Sequence, residues 1–93
     1  YYEGRHGRNR DNASRRFAQA MLPALGADAH TRGQSLGVLR NNPAGVKALV
    51  EVGNLFHVED AWALRYEQLR HRNAEKVVRG VLDYAGGRRL ARW

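Results

Sequence analysis

The sequence predicts an α/β fold: the C-terminal part of a mixed, twisted sheet flanked by helices, and an incomplete domain when taken alone. Three observations predict it. Candidate elements run strand, helix, strand, strand, helix, helix along the chain. The run "VKALVEV" at 46–52 is apolar on both faces apart from Lys47 and Glu51, a pattern that belongs to an inner strand covered on both sides. Three candidate strands are too few to give such a strand its neighbours, so the domain reads as a half.

The elements follow in order. Tyr1 and Tyr2 suit a strand, and "EGRHGRNRD" after them is loop chemistry. Asp11 or Asn12 can cap a helix in which Phe17, Ala20, Met21 and Leu25 share a face. Pro23 kinks or ends that helix, and Gly26 stops it. "DAHTRGQ" is a connector, "SLGVLR" at 35–40 a short strand, and "NNPAG" at 41–45 a loop. After the 46–52 strand, Val58 to about Tyr66 reads as a short helix with Glu59 and Asp60 in its first turn. A longer helix runs from about Arg70 to Tyr84, with Ala74, Val77, Val78, Val81, Leu82 and Ala85 as its apolar stripe. Gly86 and Gly87 end it. Residues 1–85 thus form one segment, and 86–93 a basic tail.

Composition limits what such a chain can be. Its 93 residues make one small domain or a piece of a larger one. Hydrophobic residues at 43% and charged residues at 27% argue against global disorder. The formal charge of +7 favours an anionic partner: nucleic acid, an acidic membrane surface or a cell-wall polymer. With no cysteine, disulfides and thiolate metal sites are excluded. No apolar run approaches the roughly 18 residues that span a membrane. The opening "YYEG", without methionine or signal peptide, suggests a processed or excised segment.

Glu51 is the first candidate for chemistry. A carboxylate in an apolar interior costs several kcal/mol unless paired or metal-associated, and ligand crevices of open α/β sheets lie beyond the carboxyl ends of strands. Glu51 sits at that end of its expected strand, with Gly53 beyond it allowing close approach. The alternative is a strand-end carboxylate that reaches solvent or pairs with Lys47 or an arginine. Arg40 ends the preceding expected strand and faces the same crevice, or else is an ordinary loop-edge arginine. Asn54, three residues past Glu51, is a second substrate-side candidate. His6, His30, His57 and His71 lack the close spacing of a zinc site. Each is accounted for as solvated or hydrogen-bonded, with His57 also placed to cap a helix. Arg72, Lys76 and Arg79 form either a basic stripe for nucleic acid or a solvated helix face.

The strings "YYEG", "NASRRFAQAML", "LGVLRNNP" and "KALVEVGNLFHVEDAWAL", with "GVLDYA" near the end, resemble the C-terminal half of the zinc-dependent N-acetylmuramoyl-L-alanine amidases. The resemblance covers about residues 1–85, and its specific part is "VLRNNP…ALVEVGNL…EDA". It implies a mixed sheet flanked by helices and one zinc held by two histidines and a glutamate. It also implies hydrolysis of the amide between N-acetylmuramic acid and the L-alanine of the stem peptide. Those ligands lie upstream in the family, so no metal ligand is expected in this chain. The glutamate of the family's "VELG" segment falls on Glu51, implying a general base that takes a proton from the zinc-bound water, whose pKa the metal lowers to about 7. The implied partners are peptidoglycan and the N-terminal half of the same domain, in an extracytoplasmic location, and this chain alone is expected to be inactive. His57 stands where the family commonly has Asn, Val58 where it has Pro, and "NNPAGVK" carries two extra residues before the strand. A basic nucleic-acid-binding module and a non-catalytic wall-binding domain are the rival expectations.

Overall fold

A computed structural model describes residues 1–2 and 9–89. Their architecture is helical: α1 spans Asn9–Leu25, α2 Gly37–Arg40, α3 Val58–Arg65 and α4 Glu67–Arg89. The expected α/β sheet is absent. No strand forms among the described residues, and two isolated bridges stand in its place, Tyr2 to Gly33 in parallel sense and Tyr2 to Ala48 in antiparallel sense.

Each missing strand has a local reason. In "SLGVLR" the backbone is extended at Leu36 and then turns into α2. The Arg40 amide donates to the Leu36 carbonyl at 2.8 Å, and the Arg40 guanidinium donates to the Ser35 carbonyl at 2.9 Å and to Ser35 Oγ at 3.2 Å. Those bonds close a turn that buries Leu39 and leaves Val38 outside. Four alternating residues fit one helical turn as readily as a strand. The 46–52 run is extended but pairs only at Ala48. A strand buried on both faces needs a layer on each, and residues 46–50 are only half-buried while 51 and 52 are exposed. Tyr2 joins both neighbours. It donates to the Arg32 carbonyl at 3.1 Å and accepts from Gln34 at 3.0 Å, while the Leu49 amide donates to the Tyr1 carbonyl at 2.8 Å.

The helices follow the sequence more closely. α1 carries Pro23 in its last turn and ends at Leu25, where Gly26 takes φ 123°, a conformation that favours glycine. α3 has Glu59 and Asp60 in its first turn, as expected. Tyr66 alone, with extended backbone, separates α3 from α4. The Arg70 guanidinium bridges the break by donating to the Leu64 carbonyl at 2.8 Å. α4 begins three residues earlier than expected and passes through Gly86 and Gly87 instead of stopping there.

The centre of the molecule is the α1–α4 contact. Met21, 2% exposed, lies against the buried Gly80. Phe17 meets Tyr84 edge to face, with ring centroids 4.8 Å apart. Buried Ser14 on α1 accepts the Lys47 amide at 3.2 Å, which ties the extended run to the helix. The buried hydrophobic residues among those described are Ala18, Met21 and Leu39. The chain exposes 7257 Å², against about 5,400 Å² for a folded monomer of its mass. Phe56, 95% exposed, with Leu55, Val58 and Trp62, carries part of that excess.

Tyr2 depends on Gly33. A Cβ at residue 33 would lie 2.9 Å from two Tyr2 ring carbons and 3.0 Å from its hydroxyl oxygen. Gly33→Val is expected to expel the ring and loosen both bridges, at about 1–2 kcal/mol. Hydrogen exchange at the Gln34 amide should rise about tenfold; unchanged protection would show that the ring does not hold the bridge.

Candidate functional site

Glu51 lies at the end of the 46–51 run as it leaves α1. It is exposed, so the burial penalty expected for it does not arise here. With no sheet, there is no crevice beyond strand ends. A small cavity of 60 Å³ takes its place, with the α1 residues Ala18, Met21 and Leu22 as apolar lining and His30, Thr31 and Glu51 as polar lining. It has room for a few water molecules and none for a stem peptide. Beyond Glu51, the group that approaches Gly53 is the Asp60 side chain, whose Cβ lies 3.3 Å from a Cβ position built there.

The other expected site residues are placed elsewhere. Arg40 is engaged with Ser35 in the turn before α2 and does not line the Glu51 cavity. Asn54 is a turn residue: its Oδ1 accepts the Phe56 amide at 2.9 Å, its carbonyl accepts the His57 amide at 2.9 Å, and its own amide donates to Asp60 at 2.9 Å. These bonds hold Leu55 and Phe56 out as an apolar tip ahead of α3. Of Glu51, Arg40 and Asn54, Glu51 is the one that lines a concavity formed by the described residues.

The histidines sort in the same way. His30, read from the sequence as a loop residue, shares the cavity with Glu51, and its Nδ1 is 3.5 Å from the Asp28 carbonyl oxygen. No spacing or periodicity in the sequence announces that pairing, because it arises from the path of the 26–33 connector around α1. His57 occupies the N-cap position of α3 without a side-chain capping bond, and its Nδ1 lies 3.7 Å from Asp60. His71 Nε2 lies 3.0 Å from Glu75 one turn further along α4. His6 is outside the described residues.

Among the described residues no group of three or more His, Cys, Asp or Glu is arranged to hold a metal ion. The described donors therefore do not fit a zinc ion, and no chemical step is routed through one. No described helix is long and apolar enough to cross a membrane. No protein-family model, curated protein or solved structure matches the chain.

Asp60 organises the loop after Glu51. Its carboxylate accepts the Asn54 amide and lies in the first turn of α3, where negative charge is favoured. Asp60→Ala is expected to destabilise this loop by about 1 kcal/mol, with the helix otherwise intact. Exchange of the Asn54 amide should accelerate about fivefold; an unchanged rate would mean that Phe56 and His57 hold the turn without Asp60.

Proposed function

We propose that this chain contributes Glu51 as general base and acid to a zinc-dependent N-acetylmuramoyl-L-alanine amidase, a peptidoglycan hydrolase acting outside the cytoplasm. The observation that carries the reading is the run "VLRNNPAGVKALVEVGNLFHVEDA", whose Glu51 lines a small cavity of 60 Å³. The family's sheet is not part of the support. The zinc ligands, on this reading, belong to an upstream half of the parent polypeptide. That half would also account for the small core and the exposed Val52, Leu55, Phe56 and Trp62.

The chemistry assigned to Glu51 is proton transfer. Water attacks the lactyl carbonyl carbon of muramic acid as its proton passes to the carboxylate. The C–N bond then breaks as that proton passes to the departing alanine nitrogen, so one carboxylate serves both halves of the hydrolysis. The net charge of +7 supports retention on anionic wall polymers.

The test is stem-peptide release from peptidoglycan by the parent protein, with and without Glu51→Gln. Wild-type release by the variant defeats the reading. Undiminished wall binding by a parent that never releases stem peptides would identify a non-catalytic wall-binding domain. The nucleic-acid alternative gains no support, because its arginine-bearing helix face borders an apolar groove.

A further inference from the structure

The outer face of α4 carries a groove of 710 Å³, and Ala24 near the end of α1 completes its lining. Ala74, Val78 and Leu82 give it an apolar surface, with Val78 56% and Leu82 59% exposed. Arg72, Lys76 and Arg79 border it, and none of the three has an ion-pair partner among the described residues. The single carboxylate there, Glu75, is engaged by His71. The groove shares no residue with the Glu51 cavity.

We propose that this groove docks an amphipathic helix with acidic flanks, supplied by a separate protein. The length fits: residues 71–82 cover about 17 Å, or three helical turns. An apolar strip flanked on one side by cations is a surface that receives one face of an amphipathic helix. Three unpaired cations against one occupied carboxylate select acidic flanks. A second copy of this chain would bring like charges together. Nor do the chain's own terminal stretches supply the acid, since "EGRHGR" at 3–8 and "LARW" at 90–93 are both net basic. Nucleic acid would leave the apolar strip unmatched.

The experiment titrates the chain into a fluorescein-labelled helical peptide of about 14 residues, four turns, with leucines at i, i+3, i+4 and i+7 and flanking glutamates. Saturable binding is expected. Replacing the peptide's glutamates with glutamine should weaken it about tenfold, a comparison that leaves the protein untouched. Lys76→Glu with Arg79→Glu, and separately Val78→Asp, should each weaken it by at least about tenfold with helix content unchanged, since all three side chains are exposed. Equal binding of the two peptides overturns the proposal, as does displacement of the peptide by phosphatidylglycerol vesicles or duplex DNA. Loss of binding in the longer parent overturns it too, because the groove would then be covered from within the same polypeptide.

Discussion

Glu51→Gln in the parent protein is expected to lower kcat for stem-peptide release by about 10²–10⁴-fold, the range that a positioned general base contributes. That is about 2.7–5.5 kcal/mol of lost transition-state stabilisation. Glutamine keeps the size of the side chain and removes its capacity to take a proton. KM should therefore move little while kcat and kcat/KM fall together. Thermal stability is the control. Glu51 is exposed, so its replacement should change stability by no more than about 0.5 kcal/mol. A variant that unfolds would make the loss of activity structural, and a stable variant with normal kcat would remove Glu51 from the chemistry. The residue lies where the extended run leaves the cover of α1, and the same position explains both why it tolerates substitution and why it can meet a substrate brought by another part of the parent.

The three longer helices were legible in the sequence because their signals are local. Gly26, with Pro23 before it, marks the end of α1, and Glu59 and Asp60 mark the start of α3. The strands were not legible for the converse reason. "SLGVLR" alternates over too few residues to separate a strand from a turn of helix, and whether 46–52 forms a strand depends on neighbours that no local pattern reports. α4 shows a subtler limit. Hydrophobicity assigns its inner stripe to Ala74, Val77, Val78, Val81, Leu82 and Ala85, yet Ala74, Val78 and Leu82 line the outer groove. The face turned toward α1 contains Gly80 and Tyr84, and a glycine adds nothing to a hydrophobic pattern although it lets Met21 of α1 pack directly against it. For the site, Glu51 could be singled out from its surroundings in sequence. Arg40 and Asn54 could not be judged there, because each is held by a turn bond to a residue two to five positions away.

The Gly80–Met21 contact sets the second large effect. Met21→Ala removes a side chain buried to 2% exposure from a core whose other buried hydrophobic residues, among those described, are Ala18 and Leu39, and is expected to cost about 2–5 kcal/mol. With so little else buried, that loss should leave much of the chain unfolded at 25 °C. Gly80→Ala involves two opposed effects. The helix interior gains about 1 kcal/mol from the better residue. The new methyl, however, meets Met21 Cβ and Cγ at 3.1 Å and Cε at 3.2 Å. Cε can swing aside, but Cβ is fixed to the backbone of α1, so the two helices must separate. Overpacking of this kind costs about 1–3 kcal/mol, and the net effect should be destabilising. The double variant distinguishes this geometry from general loss of hydrophobicity. Once Met21 is shortened, the methyl at 80 enters the vacated space, and the combined loss should fall short of the sum of the single losses by about 1 kcal/mol or more. Urea melts of the four proteins measure that coupling. Strict additivity would mean that α1 and α4 do not meet at these residues, and the path of the extended run around α1, which brings Glu51 to its cavity, would lose its support.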